Sequence, residues 1–409
     1  MNTVWRLINF VLRGATLVSR FALIFVLAKF LDPAEVGLYG LLTATISYLL
    51  MAVGFDFYTY STREIIVEDR KKWASMLRDQ VVFYAITYVS IFPLCFFIFW
   101  FDFLPWQVAL WFFPLLALEH IAQEFNRMLV AMSEPLWASV VLFVRTGAWA
   151  VAAVILLWFM PAQRTLDFVL TAWVVGGAMA CAIGAVRLRQ LAPGSLTCPI
   201  NWSWIKRGLR VAFPFVLGTL SVRAFYTFDR FWVEALGGLE VLAAYALFIG
   251  IANAIMSFLD AVIFSFSYPS IVAAASDGDQ MRYNNKLQGL FMQTLLFTVA
   301  LSVAVLFLAE YVVGALHRRI YIQYFGLLYW TVLATVFFAI SMVPHYGLYA
   351  RRQDRSIILS HVFSLPIFFI FVSMMSSSFG VQAVPIAMTV SFMFLLIIKA
   401  ILLYRCGPL

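Results

Sequence analysis

Arg13 and Arg20 lie seven residues apart in an otherwise apolar run, and Arg223 and Arg230 repeat that spacing in the second half of the chain. Seven residues is close to two helical turns, so each pair falls on nearly one helix face. An arginine at the centre of a membrane helix costs about 2.5–3.5 kcal/mol on insertion scales, so such residues face a polar cavity or a partner. A guanidinium offers a planar fork of N–H donors that matches a phosphate oxygen pair. Each half thus presents a basic stripe, and Arg145 in the fifth apolar run adds to it. The structural alternative is that each arginine pairs with a carboxylate. Asp229 adjoins Arg230 but projects about 100° away on a helix, while Asp56 and Asp260 are placed to pair across helices. Arg13 and Lys399 stand close enough to a helix end to snorkel.

The fourth run holds Glu119, His120 and Glu124. His120 and Glu124 are four apart and can face each other, either as a proton relay or as a hydrogen bond that packs helices. His345 and His361 flank a connecting loop and read as interfacial. Cys95, Cys181, Cys198 and Cys406 have no metal or redox spacing and read as structural thiols. There is no GxxxxGK[ST] loop, so the chain is no ATP-driven pump by itself, and no GxSxG nucleophile elbow. No metal, cofactor or catalytic residue is expected.

The elements that must position these groups are long apolar runs near 9–31, 36–58, 80–101, 108–128, 138–160, 167–188, 208–234, 241–268, 287–309, 324–345, 357–378 and 382–404. A hydrocarbon core about 30 Å thick takes about 20 apolar residues as a helix. The chain is 64% hydrophobic and only 12% charged, against about 25% charged in soluble domains. The expectation is an all-α polytopic membrane protein of about 12 transmembrane helices. The first run carries Arg13, Arg20 and Lys29 and has the wrong flanks for a cleaved signal peptide, so it reads as a retained helix. The net charge of +8 does not point to nucleic acid, because its distribution follows topology. With both termini inside, 18 of the 28 Lys and Arg fall in cytoplasmic segments, six within spans, and four outside (Lys29, Arg164, Arg318 and Arg319). That is the positive-inside bias that orients a multi-pass membrane protein, with basic loops on anionic lipid.

The connection at 189–207, with Pro193, Gly194 and Pro199, divides six spans from six. The expected lobes are 1–192 and 208–409, joined by a cytoplasmic linker over 193–207. Asn201 to Arg210 and Arg63 to Asp79 mix basic residues with tryptophan and read as interfacial helices. A faint internal repeat supports two lobes: Arg20 matches Arg223, Glu35 with Val36 matches Glu240 with Val241, and Asp56 matches Asp260, at offsets of 203 to 205. Six spans is an even number, so this is a parallel repeat about the membrane normal, with a substrate site between the halves.

The segment FLDPAEVGLY from Phe30 to Tyr39 resembles the connection between the first two helices of polysaccharide and O-antigen (Wzx-type) flippases, where strings like LGPEEFGLY recur. The stretch YTFDRFWVEALGGLEVLAAYALF from Tyr226 to Phe248 resembles that family's Asp-Arg pair, Gly-rich turn and Ala/Tyr-rich eighth helix, with Pro269 at the end of that helix. Leu242, Ala243 and Ala244 depart from the glycine common there. The resemblance spans the chain and extends to the multidrug/oligosaccharidyl-lipid/polysaccharide exporter superfamily. It implies two six-helix lobes around a central cavity that opens alternately to either side. It also implies a polyprenyl-diphosphate-linked oligosaccharide as substrate, with a polysaccharide polymerase and a chain-length regulator as candidate partners. Arg20, Arg223, Arg230, Arg145 and Arg13 are then the substrate-binding candidates. Asp56, Glu119, His120, Glu124, Asp229 and Asp260 are the coupling or charge-pair candidates.

Two other classes compete. A multidrug-type cation antiporter would want acidic groups to dominate the cavity. An integral membrane polymerase or glycosyltransferase would want catalytic residues on a sizeable outer loop, and the longest such loop, near 310–323, has about 14 residues.

Overall fold

The computed structural model describes residues 3–193 and 199–409, all of whose regular structure is helical. Gly194 and Cys198, named above, lie outside the described residues. Among the described residues, nine stretches are long and apolar enough to cross a membrane. Two of them are helix pairs. Trp202–Ser276 turns at Gly238 (φ 78°), and Asp354–Arg405 turns at Gly380 (φ 53°), both in the left-handed region that glycine enters without strain. A further helix, α5 (Ala109–Ala131), is of similar length but carries Glu119, Glu124 and Arg127.

The chain forms two compact units. Unit 1 is Met1–Leu31 with Leu41–Leu220, and unit 2 is Asp32–Gly40 with Ser221–Leu409. Unit 1 contains α1 (Thr3–Phe30), most of α2 (Pro33–Gly54), α3 (Tyr58–Val67), α4 (Arg70–Trp100) and α5. It continues with α6 (Pro135–Phe143), α7 (Trp149–Phe159), α8 (Leu166–Leu191) and the first part of α9 (Trp202–Leu259). A π turn at Val144–Ala148 joins α6 to α7 in one span. Unit 2 holds the rest of α9, then α10 (Ser265–Ser276) across a π turn at Asp260–Phe264, α11 (Gln280–Leu316), α12 (Arg319–Gln323), α13 (Gly326–Ala350), α14 (Asp354–Phe379) and α15 (Ala383–Arg405).

Local chemistry sets the helix ends. Pro33 and Pro135 open α2 and α6, where no intrahelical N–H is needed. Thr165 caps α8 by accepting from Phe168 N at 3.3 Å, and Asp279 caps α11 by accepting from Arg282 N at 2.9 Å. Several helices outrun their apolar runs. α4 starts at Arg70, well before its apolar run, and Arg78 in that polar stretch donates to Asp79 at 2.6 Å and to Pro199 O at 3.0 Å. The segment after Asn201 is not a separate interfacial helix but the start of α9. Trp204 anchors it against Phe57 and Tyr60, with ring centroids 5.4 and 5.3 Å away.

Glycines allow close helix contacts. In unit 1, α8 meets α5 where a Cβ at Gly177 would stand 3.1 Å from Leu118 Cβ. In unit 2, a Cβ at Gly37 would lie 1.9 Å from Leu239 O, so the start of α2 touches backbone there. The core of unit 2 is aromatic, with Phe392 centred between Phe225 (5.2 Å) and Phe338 (5.0 Å). Large apolar side chains such as Phe96, Phe97, Leu296 and Phe307 stay exposed. That suits a solvent of lipid, in which apolar surface has nothing to hide from.

Candidate functional site

The ionisable residues of unit 1 gather on α5 in two clusters. On one side, Glu119 accepts from Trp173 Nε1 at 2.7 Å and sits 3.7 Å from Arg145 Nε. Arg145 Nη1 also donates to the Glu119 carbonyl at 3.3 Å. Arg145 lies inside the π turn, the kind of local irregularity that recurs at functional sites. Trp149 donates to the Arg145 carbonyl at 2.8 Å and stacks on Trp173 at 5.8 Å. Arg20 on α1 is exposed and within electrostatic reach of Arg145. Arg13 is also exposed, and its Nε donates to Ser139 Oγ at 3.3 Å, while Ser139 in turn donates to Asn9 Oδ1.

On the other side of α5, Glu124 is saturated. It accepts from Arg127 at 2.5 Å, Tyr84 at 2.6 Å and Gln80 at 3.1 Å. His120 bonds Tyr88 through Nδ1 at 2.7 Å. The hydrogen bonds of His120 and Glu124 therefore run to α4 and Arg127, not to each other as their spacing allows. Gln80, Tyr84, Tyr88, His120 and Glu124 line a cavity of about 920 Å³ between α4, α5 and α8, whose mostly apolar walls also include Arg189. Sequence reasoning missed Gln80 and Tyr84. Their signal was their spacing of four on the α4 face opposite Glu124.

In unit 2, Asp229 is fully buried and Arg230 does turn to it, with Nη1 3.1 Å from Oδ1. The backbone geometry that separates neighbours by about 100° is overcome by a long side chain that folds back and also donates to the Tyr226 carbonyl. Tyr245 donates to Asp229 Oδ2 at 2.9 Å, a partner that the Ala/Tyr-rich stretch already contained. Arg223, two turns earlier, is exposed. Asp260 is exposed in the second π turn, where its carbonyl accepts from Ser265 at 2.5 Å. Its sequence counterpart Asp56 is buried in unit 1 with φ 47°, and its carbonyl accepts from Thr59 Oγ1 at 2.8 Å. Both members of this matched pair sit where helical hydrogen bonding is interrupted.

Lys399 corrects the sequence reading most clearly. It does not snorkel to a helix end: it is wholly buried, with Nζ 3.4 Å from His345 Nδ1. His361 is likewise buried. Lys399 lies six residues inside the end of α15, a helix that packs against both α13 and α14.

Among the described residues no group of three or more His, Cys, Asp or Glu could hold a metal ion.

Comparison with known proteins reaches the same architecture. A family model described as polysaccharide biosynthesis protein matches residues 7–275. An inward-facing multidrug resistance MATE family transporter of the MOP superfamily superposes with a TM-score of 0.77 at 13% identity, covering 97% of this chain and 98% of that one. The lipid II flippase MurJ, in an inward closed conformation, gives 0.76 at 11% identity over 98% and 88%. A MOP superfamily transporter from Pyrococcus furiosus gives 0.62 at 14% identity over 98% and 94%. At these identities the likeness is one of fold. No curated protein matches the chain in sequence.

Proposed function

The chain belongs to the polysaccharide biosynthesis protein family, and from that premise we propose that it is a flippase for oligosaccharide repeat units carried on polyprenyl diphosphate. Transport in this reading is by alternating access, open in turn to the cytoplasm and to the outer face of the bacterial inner membrane. The product feeds assembly of a surface polysaccharide such as O-antigen or exopolysaccharide, handed on to a polymerase and its chain-length regulator. The chain itself performs no covalent chemistry.

One observation carries this reading. Each unit has an exposed arginine on the helix where its repeat begins, Arg20 in unit 1 and Arg223 in unit 2. Arg145 and Arg230 are more buried and meet acids. Arg20 and Arg223 are the groups that we assign to the diphosphate, through forked hydrogen bonds. Arg13 and Arg145 extend the basic face of unit 1, and Arg230 that of unit 2. The lipid tail stays in the bilayer while the head crosses. An inside-negative potential favours outward movement of the head by about 2.3 kcal/mol per charge per 100 mV. Multidrug-type cation antiport is less well supported. It needs acids available to the cargo, and Glu119, Glu124 and Asp229 are each already held by an arginine.

The test is restoration of surface glycan in a strain lacking its own flippase, with protein abundance measured alongside. Arg20→Ala and Arg223→Ala should insert normally and abolish export. The lysine variants should rescue in part, since a point charge replaces a fork. Full export by both alanine variants at normal abundance would remove these residues from the mechanism.

A further inference from the structure

Three helices of unit 2 each bring one nitrogen base to the same place. Lys399 of α15 is wholly buried, and its Nζ is 3.4 Å from Nδ1 of His345 on α13. The ring of His361 on α14 is centred 6.2 Å from that of His345. Other titratable groups surround them. Tyr346 of α13 meets His345 edge-on at 5.6 Å, and Tyr268 of α10 stacks on Tyr346 at 5.8 Å. Tyr283 of α11 donates to the Gly347 carbonyl at 3.1 Å and accepts from Arg351 at 3.2 Å. The carboxylate in electrostatic reach of this group is Asp260, and it acts on Tyr346. Among the described residues no carboxylate acts on Lys399, His345 or His361.

This arrangement differs in kind from the other charges of the fold. Arg145, Arg127 and Arg230 each meet an acid, and a guanidinium keeps its proton throughout. Lysine and histidine can give theirs up. Two positive charges at 3.4 Å, away from water and with no anion between them, repel strongly. One proton, however, can be shared: an ammonium donates to an imidazole lone pair, and an imidazolium donates to an amine. The site therefore has room for a single exchangeable proton. Close contacts lie beside it. Leu403, one turn beyond Lys399, would stand 2.9 Å from a Cβ at Gly347, and Tyr283 links the Gly347 carbonyl to Arg351.

We propose that Lys399, His345 and His361 form a proton-binding site that exchanges one proton with water when the contacts among Gly347, Leu403 and Tyr283 open, and that it couples transport to a proton gradient. The binding half stands on the geometry of unit 2, and the coupling half rests on the transport reading above.

The first arm of the test uses the purified full chain and follows its unfolding midpoint between about pH 5 and pH 8. A buried base that must charge on acidification makes the wild type lose stability that variants without it do not lose. Lys399→Met replaces the side chain with an apolar one of similar length, a change that buried ionic sites tolerate. The pH dependence should be markedly flatter in Lys399→Met and in the double variant His345→Gln/His361→Gln. Profiles parallel to the wild type in both would overturn the proton site. The second arm follows lipid-linked oligosaccharide in vesicles, with the outer face made acidic. The wild type should be accelerated, and Lys399→Met should lose that acceleration. A wild type that transports but ignores the gradient would overturn the coupling half alone. A wild type that transports nothing would count against the flippase reading, and the unfolding profiles would still decide the proton site.

Discussion

Units 1 and 2 handle charge in the membrane in different ways. In unit 1 both buried carboxylates of α5 face an arginine, Glu119 with Arg145 and Glu124 with Arg127, and tryptophan or tyrosine donors fill the remaining lone pairs. Unit 2 repeats that solution once, at Asp229 with Arg230 and Tyr245. Its other deep cation, Lys399, has imidazoles for company. An acid–guanidinium pair with satisfied hydrogen bonds is a fixed point, because neither partner can change its charge without exposing the other. A lysine among histidines has more than one protonation state within reach. The contrast separates groups that hold helices together from groups able to change state as the protein works.

The largest expected effect breaks a fixed point. Glu119→Ala strands Arg145 beneath Trp149 and Trp173 and should cost about 3–5 kcal/mol, the range seen when one partner of a buried pair is removed. The unfolding midpoint in detergent checks this, with Lys399→Met as the contrasting case that keeps or gains stability. An unchanged midpoint in Glu119→Ala would erase the distinction between the two units.

A smaller effect concerns helix contacts. Gly37→Ala in unit 2 drives a methyl group into the Leu239 carbonyl, which cannot rotate away, whereas Gly177→Ala in unit 1 meets a leucine side chain at 3.1 Å. Gly37→Ala should cost about 1–3 kcal/mol, the range for overpacking, and Gly177→Ala less. Equal losses of folded yield would show that the backbone contact is not what makes Gly37 sensitive.

The smallest effect belongs to a pair outside the membrane. Lys72 and Glu68 meet at 2.7 Å on the exposed start of α4. The hydrogen bond that Lys72 donates to Glu68 raises the proton affinity of Lys72 above its ordinary value. Its contribution is therefore complete below the usual lysine range and fades only as the pH rises beyond it. Between about pH 6 and pH 9 the pair should add no slope to stability. Lys72→Ala should shift the midpoint far less than Glu119→Ala, and the shift should shrink in salt.

Much of this contrast was legible in the sequence, and the part that was not has a physical cause. Apolar runs set the helices, and Gly238 and Gly380 mark turns that hydropathy alone blurs. Glu119, Glu124 and Asp229 were visible as costly residues in apolar surroundings. Their partners were harder to see. Arg145 lies 26 residues from Glu119, and Tyr84 lies 40 from Glu124, distances that only tertiary packing closes. Asp229 and Arg230 are neighbours whose pairing depends on a side chain folding back, which helical periodicity does not describe. Lys399 resembled a snorkelling residue by its place in the run. Its burial follows from two neighbouring helices, and one helix read alone carries no sign of them.

The central claim is that this chain carries a diphosphate-linked glycan across the membrane on arginines from both units. Vesicles containing the chain as their sole protein, loaded with a fluorescent oligosaccharide on polyprenyl diphosphate, test it most directly. The readout is how fast the sugar becomes accessible to a glycosidase on the opposite face. The account predicts an exposure rate that rises with protein content and returns to that of protein-free vesicles in Arg20→Ala and Arg223→Ala. Exposure no faster than in protein-free vesicles, from a correctly folded chain, would contradict it.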